Sequence, residues 1–584
     1  MKNLKKLISA SVLAGLLAAC GADLDEPEPK AVLGPDAVTE EDNIDRLVIA
    51  AYAFLGNDHY SIPHSFWLTG NLRAGDAHKG GDGIDDVQWG HELSVFTGLK
   101  PDLSQLPRDF IDINNNQWVR WYAAVSRANA ALSAMQAADV DEPAKEAELR
   151  FVRGIFYFWL KIHYKHIPIV PADALPAEVA QIGNRDMTDQ ETWQFIVDEF
   201  AFAANNLPAV QADVGRANKY SAQAFQAKAL LFKAYVQDEN HQVTSINQSE
   251  LADVVSLTES IISSGEYALN EDYANNFLYE FENSKESVFS IQRSQQDGSQ
   301  DGKGAFAFAL NGPQVEIDGF YGCCGFHVPT DNFVNAFKTD ATTGLPLFDS
   351  YNDSIYVYAD PVDPRLDHTV AMEDKPVKYD SNVVHKGADW ARKADQYGSH
   401  TSIKELELPS CNCLMKNGNN DVKPFTLTSM NTPILRYSDV LLMQAEALIE
   451  IGGNDNLEKA RELINQLRAR AKNSTDKLVA AGVQSNYKVE EYSQAFVDQD
   501  EARKALRWER RLELGLEGHR FFDLVRWGIA ASWLNNSYFP TERERKVYLA
   551  GAEFSPGKHE YLPIPLEQIV LSRNGKEYVQ NPGY

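Results

Sequence analysis

The side chains best suited to bind a ligand are aromatic, sulfur-containing and charged residues that lie outside any helical apolar stripe. A site that combines exposed aromatic planes with Asp, Asn and Arg suits a ligand that has apolar C–H faces and a rim of hydroxyl groups. Trp89 stands in a Gly- and Asp-rich segment without periodic apolar neighbours, which predicts exposure. The alternative is a core residue. One region, 56–92, supplies the whole mixture: Asn57, Asp58, Trp67, Arg73, Asp76, Asp82 and Trp89.

A second region combines FYGCCGFHV at 320–328 with DWARKADQY at 389–397. A disulfide between Cys323 and Cys324 would close an eight-membered ring, because neighbouring Cα atoms lie about 3.8 Å apart, below the usual disulfide range. Such a ring would offer a sugar a rigid, flat and polarizable surface. A glycine on either side of the pair favours this bond.

The connectivity of the four cysteines that follow position 20 is open at this point. Cys323 or Cys324 could instead pair with Cys411 or Cys413, since four cysteines allow three connectivities. With the vicinal bond formed, Cys411 and Cys413 would pair with one another or stay reduced. Their C-x-C spacing resembles a redox or metal motif, but it lacks a second ligand pair at finger-like spacing.

Catalysis and cofactors have no support in the sequence. Carboxylates are so abundant that a pair suited to glycoside hydrolysis carries no signal. No GxSxG elbow, HExxH motif or phosphate-binding glycine loop is present. Asp82, Asp85 and Asp86 miss the calcium-binding EF-hand pattern, which favours a solvated acidic loop without a metal. The formal charge of −28 argues against nucleic acid as a partner.

The start of the chain has the features of a processing segment. Three early lysines precede an apolar run at 7–19 that is too short to span a bilayer, and Cys20 follows small residues as in a bacterial lipobox. We therefore predict a signal peptide at 1–19, acylation of Cys20 and a flexible tether at 20–34. The alternative is an ordinary signal peptide with an incidental cysteine.

Helical periodicity divides the rest of the chain into three parts. Part 35–265 carries apolar stripes with helical spacing, 266–432 is rich in Gly, Pro, Asn and Asp, and 433–584 is helical again. A loop region of this length inside one domain is usually functional. The stripes include Trp118, Val125 and Leu132; Leu149, Val152 and Phe156; Ala222, Phe225 and Ala229; and Leu251, Val254, Thr258 and Ile261.

The most specific segment is 506–528, which contains ER-x-LEL-x-x-EG-x-R-x-x-DL-x-RWG. Here Ala505, Trp508 and Leu512 share one helix face, and the Arg and Glu residues between them predict a network that locks two helices together. This segment resembles the C-terminal motif of the SusD/RagB family of outer-membrane glycan-binding lipoproteins. Further resemblances, in the order that the family shows, lie at 73–81, 363–366, 433–446, 561–565 and 580–584.

The resemblance implies a mostly α fold, with tetratricopeptide-like helix pairs as a scaffold and long irregular loops inserted into one globular domain, 35–584. It implies a lipid-anchored protein on the outer-membrane surface that captures oligosaccharides without catalysis and covers a SusC-like TonB-dependent transporter. A surface polysaccharide-degrading enzyme and an adhesive or structural lipoprotein are the alternatives. An aromatic-Gly-Cys-Cys-Gly loop, a Trp in the N-terminal loop and an Arg about seventy residues beyond the cysteines resemble the fructan-binding branch of the family. That resemblance implies fructan as the ligand and these ligand-binding residues: Trp89, Cys323, Cys324 and Arg392, with Asp58 and Asp76 as looser matches.

Overall fold

A computed structural model of the chain describes residues 41–99, 104, 107–295, 297, 304–416 and 425–584. The fold is mostly α-helical, which confirms the predicted class. The predicted signal peptide, the predicted tether and Cys20 lie outside the described residues. Among the residues that are described, no helix is both long and apolar enough to cross a membrane.

Long helices dominate the first and last thirds of the chain, while short ones occupy the middle. The helices are α1 Glu41–Tyr52, α2 Gln88–Val95, α3 Arg108–Ala137, α4 Pro143–Tyr164, α5 Pro176–Val179, α6 Asp189–Asn206, α7 Lys219–Ala234, α8 Gln248–Ser264, α9 Asp331–Asn335, α10 Arg365–Thr369, α11 Ala394–Tyr397, α12 Tyr437–Ile451, α13 Asn454–Asn473, α14 Asp476–Ala480, α15 Gln499–Glu513, α16 Arg520–Arg526, α17 Ala530–Ser532, α18 Phe539–Arg545 and α19 Leu566–Ser572.

These helices pack in sequence as an array of hairpins. Helix α3 packs on α4, α4 on α6, α6 on α7, α7 on α8, α8 on α12, and α12 on both α13 and α15. Thr188 and Asn218 cap α6 and α7 by accepting backbone N–H bonds from the third residue of each helix. The stripe on α8 is fully buried at Leu251, Val254 and Ile261, so helical periodicity alone identifies the faces that pack.

The strands are short and form only two-stranded pairs within the described residues. Most pairs are antiparallel, such as β1 with β7 and β4 with β15. The strands are β1 Ala77–Gly80, β2 Tyr235–Gln237, β3 Val243–Ile246, β4 Ser287–Ile291, β5 Glu316–Ile317, β6 Phe320–Tyr321, β7 Phe326–Pro329, β8 Pro361–Val362, β9 Val370–Ala371, β10 Pro376–Val377, β11 Asp380–Val384, β12 Thr401–Ser402, β13 Leu414–Lys416, β14 Thr426–Thr428, β15 Thr432–Arg436 and β16 Asn486–Tyr487.

The apolar interior consists of a large core and a small one. The large core runs from Ile44 in α1 to Ile564 near the C-terminus and includes the faces of the hairpin array. The small core lies under the loop-rich region and contains Tyr321, Trp390 and Leu408. The loops of the middle region therefore rest on their own apolar base.

A network of buried charges joins the C-terminal motif to the loop-rich region. The Glu513 carboxylate accepts hydrogen bonds from Arg365 at 3.1 Å, Arg436 at 3.0 Å and Arg470 at 2.6 Å. Burial raises the pKa of Glu513, but the three guanidinium groups outweigh that effect and hold its pKa well below its usual range. Glu286 bridges Arg436 and Arg470 in turn. The predicted Arg/Glu network exists, and it ties distant segments together as well as neighbouring helices.

The turn between α15 and α16 depends on a close approach at Gly518. This residue has φ +84°, and an added Cβ would lie 2.4 Å from the Ser65 carbonyl oxygen. The Asn71 side chain holds the same turn, because it accepts from the Gly518 N–H and donates to the Leu516 carbonyl, each at 2.9 Å. Only glycine satisfies both the left-handed backbone and the lack of space.

We predict that Glu513→Gln destabilises the protein strongly, because it leaves three buried guanidinium groups short of one negative charge. Removing one member of a buried ionic network typically costs about 3–5 kcal/mol. Chemical denaturation would measure the change. Glu490→Gln is the matched control: Glu490 pairs with Lys472 at 2.6 Å, but both side chains are exposed, so a loss of less than about 1 kcal/mol is expected. Equal losses in the two variants would contradict this role for Glu513.

Candidate functional site

The vicinal cysteines form the centre of a surface loop that follows the β5–β6 hairpin. A disulfide joins Cys323 to Cys324; Cys323 is half-buried and Cys324 is buried. The Gly325 N–H donates to the Gly312 carbonyl at 2.9 Å, and the Gly322 N–H lies 3.1 Å from the Val315 carbonyl oxygen. Both flanking glycines have positive φ, +90° and +68°, which explains their place in the sequence.

Arg392 lies beside this loop. An added Cβ on Gly325 would be 3.3 Å from the backbone nitrogen of Arg392. The Gln314 N–H also donates to the Trp390 carbonyl at 3.0 Å, which joins the two loops. The Arg392 guanidinium is 29% exposed, and it pairs with Asp86 at 2.9 Å and with Asp82 at 3.1 Å. The structure thus brings Cys323, Cys324 and Arg392 together.

The aspartate loop, 81–88, is the third component of the surface. The buried Lys79 ammonium holds it from below by donating to the Gly83 carbonyl at 2.7 Å and to the Asp86 carbonyl. Burial lowers the pKa of Lys79 to about 8. The Gly81 N–H donates to the Gly325 carbonyl at 3.0 Å, so the aspartate loop is fastened to the cysteine loop. We call loops 81–88, 312–325 and 387–397 together the three-loop surface.

Trp89 lies in the core, so the prediction of an exposed indole is wrong. Its side chain is fully buried, and its ring lies 4.5 Å from that of Phe110. Trp89 is the second residue of α2, and its N–H donates to the Asp109 carboxylate at 2.9 Å. This helix has only eight residues, too few to produce a clear periodic pattern after the Gly- and Asp-rich loop. Trp67 is also buried.

Asp58 and Asp76 are likewise interior residues, which corrects their placement at the sugar site. Asp58 forms a two-pronged pair with buried Arg293 at 3.0 and 3.1 Å. Asp76 accepts from Arg511 at 2.8 and 3.0 Å, and so joins the N-terminal segment to the C-terminal motif. Both carboxylates are held by arginines more than 200 residues away in sequence, a relation that no local pattern reveals.

Cys411 and Cys413 are joined to one another in the structure. With Glu407 they form the only grouping of metal-type ligands found among the residues that the structure describes, with ligand atoms within 4.8 Å of one another. Because the two sulfurs are bonded together, neither is a thiolate that could bind a metal. The three-loop surface contains charged groups paired across loops and no such grouping. Its chemistry suits the recognition of hydroxyl groups.

The protein is mostly α-helical, with an array of helical hairpins that carries a surface built from loops. Comparisons with known proteins show the family to which a chain of this class belongs. The model of the SusD family matches residues 285–584, just over half of the chain, so the chain belongs to the SusD family. This confirms the resemblance read from the motifs. A SusD-like protein of Bacteroides ovatus is 26% identical over 503 residues, which cover 80% of this chain and 79% of that protein.

Solved structures show the same fold. A SusD-like carbohydrate-binding protein from Bacteroides fragilis NCTC 9343 matches with a TM-score of 0.64 and 20% identity, over 92% of this chain and 98% of that one. Surface glycan-binding protein A from Bacteroides thetaiotaomicron, in complex with laminarihexaose, matches with a TM-score of 0.59 and 20% identity, over 93% of this chain and all of that one. At these identities the likeness establishes the fold alone.

We predict that Trp89→Ala lowers the stability of the protein, because it leaves a cavity where the indole packs on Phe110. Truncating a buried Trp typically costs about 3–5 kcal/mol, which a melting curve would detect as a shift of several degrees. Ile84→Ala is the control, since Ile84 is 42% exposed in the adjoining loop and should change little. Unaltered melting of Trp89→Ala would show that the indole is not part of the core.

Proposed function

We propose that this chain is a surface glycan-binding lipoprotein that captures an oligosaccharide on the three-loop surface without covalent chemistry. One observation carries the proposal: a vicinal disulfide, an arginine and two aspartates from three separate loops converge where solvent reaches them. Membership of the SusD family supports it. Two structural relatives, described as carbohydrate-binding and as bound to laminarihexaose, add support.

The three-loop surface has both kinds of contact that a sugar needs. Cys323, the half-buried member of the Cys323–Cys324 ring, offers a polarizable sulfur to apolar C–H groups. Arg392 offers planar N–H donors, and its pairs with Asp82 and Asp86 fix the guanidinium before a ligand arrives. The Asp82 carboxylate is 51% exposed and can accept hydroxyl hydrogen bonds. Because the groups are already held in place, binding costs little ordering entropy.

An enzyme is the rival function, and the surface gives it less support. Hydrolysis of a glycosidic bond requires one carboxyl group that donates a proton and a second that acts as base or nucleophile. Asp82 and Asp86 both pair with the Arg392 guanidinium, so both carboxylates already serve to hold the arginine in place. Released sugar after incubation with polysaccharide would favour the enzyme.

Fructan is the substrate we propose to test first, and laminarin the second. The cysteine pair and Arg392 match the positions that the fructan-binding branch implies, whereas Trp89, Asp58 and Asp76 lie in the interior. Laminarin is included as a test glycan because the solved structure of one relative contains laminarihexaose. Both glycans are uncharged, in keeping with a chain whose formal charge is −28.

We predict that Arg392→Ala weakens polysaccharide binding at least tenfold, because hydroxyl groups lose the arranged donors of the guanidinium. A central binding residue often contributes about 2 kcal/mol or more. Titration calorimetry with inulin and laminarin would measure the affinity. Arg573→Ala is the control, since Arg573 forms an exposed pair with Glu577 at 2.8 Å outside this surface. Equal affinity of wild type and Arg392→Ala would remove Arg392 from the site.

We further propose that acylated Cys20 anchors the protein at the outer membrane, where it covers a SusC-like TonB-dependent transporter. Each buried acyl CH₂ contributes about 0.8 kcal/mol, so several chains on one cysteine hold a protein firmly. The wild-type protein should fractionate with the outer membrane. Its affinity purification from membranes should also yield a large β-barrel protein. Cys20→Ser should be found in the soluble fraction. Membrane retention of Cys20→Ser would contradict the anchor, and recovery of wild type alone would contradict the partner.

A further inference from the structure

A second groove lies in the loop-rich region, lined by none of the six predicted ligand-binding residues. Segments 278–280, 378–381 and 407–411 form it, two alanines of the C-terminal part complete its wall, and its cavity volume is about 470 Å³. We call it the tyrosine groove, because Tyr279 and Tyr379 line it. Ligand sites typically measure about 300–1,000 Å³, so the groove is large enough for an oligosaccharide segment.

The side chains along the groove are polar groups mixed with ring faces. Tyr279 is half-buried at the surface of the groove, whereas the Tyr379 hydroxyl lies 2.8 Å from Nδ1 of the buried His368 and so points to the interior. Glu280 is exposed and Asp380 half-buried, while Ser381 and Ser410 present exposed hydroxyl groups. Carboxylates and hydroxyls beside aromatic rings match a ligand that has many hydroxyl groups and apolar C–H faces. A purely apolar ligand would leave these polar groups without partners.

The floor of the groove is held rigidly. The Glu407 carboxylate accepts from the Tyr279 N–H at 3.0 Å and lies 3.9 Å from the Lys378 ammonium. Lys378 donates to two backbone carbonyl groups beneath it. The Cys411–Cys413 disulfide fixes one wall. A ligand therefore meets a surface whose polar groups are already in place, which lowers the entropic cost of binding.

We propose that the tyrosine groove is a second subsite for the neutral polysaccharide that the three-loop surface binds. This proposal rests on the glycan-binding function proposed above. The groove has three carboxyl groups, of Glu280, Asp380 and Glu407, against one ammonium, of Lys378. This balance disfavours uronate or sulfated chains, since like charges repel.

The two surfaces are connected through the small core. The Tyr321 hydroxyl donates to the Glu407 carbonyl group, and Tyr321 is separated from Cys323 by one glycine. Trp390, under the three-loop surface, and Leu408, beside the groove, belong to the same apolar cluster. Because a polysaccharide repeats its unit, one chain could engage both subsites, and the second contact would then be intramolecular and raise the overall affinity.

Tyr279→Ala tests the proposal. Calorimetric titration of wild type with laminarihexaose and with an inulin-type hexasaccharide should give two sites per protein for the sugar that binds, and Tyr279→Ala or Arg392→Ala should each give one. Affinity for the corresponding polysaccharide should fall at least fivefold in Tyr279→Ala. Ser381→Arg places a large side chain in the groove from an exposed position and should lower the affinity for the polysaccharide in the same way. Because the substitution is at the surface, it tests the groove even if Tyr279→Ala does not fold.

Tyr358→Ala is the matched control, since Tyr358 is 42% exposed in the same region and does not line the groove. Alginate, a uronate polysaccharide, should bind more weakly than the neutral chains. A single site in wild type, or wild-type affinity in Ser381→Arg, would overturn the groove alone. Absence of binding to every neutral glycan in the set would overturn the proposed function and the groove with it.

Discussion

The buried carboxylate of Glu513 is the contact on which the arrangement of the chain depends. A charge without water requires partners, and its partners come from α10, the end of β15 and α13. If one of these segments moved away, an uncompensated charge would remain in the interior. The network therefore specifies where the loop-rich region sits on the helical array, a geometry that apolar packing alone leaves less defined.

The same physics separates structural charges from those that can recognise a ligand. Asp58 with Arg293, and Asp76 with Arg511, are buried pairs in which the guanidinium donates to the carboxylate. Arg392 also has carboxylate partners, but all three side chains are between 29 and 51% exposed. A buried pair contributes to the specific fold, whereas a pair at the surface keeps its guanidinium oriented and still reachable. Burial, more than residue type, distinguishes the two roles.

Sequence reasoning succeeded where the pattern is local. The stripe Leu251, Val254 and Ile261 requires one helix, and the vicinal disulfide joins neighbours. It failed where a residue's environment comes from far along the chain: Asp58 meets Arg293 235 positions away, and Trp89 is covered by Phe110 of another helix. Contacts between distant segments leave no periodicity in the sequence. The acidic partners of Arg392 therefore have no sequence signal, because loops 81–88 and 387–397 lie side by side only in the folded chain.

The two proposed subsites would meet the two needs of a protein that captures a glycan for transfer, which must hold the glycan and then release it. A single tight site would slow dissociation, since affinity is tuned mainly through the off-rate. Two weaker sites that bind one polysaccharide chain give a high overall affinity through effective concentration, although each single site dissociates quickly. The hydrogen bond from the Tyr321 hydroxyl to the Glu407 carbonyl group links the cysteine loop to the floor of the tyrosine groove. Short products of the same glycan, which reach only one subsite, would then leave most readily.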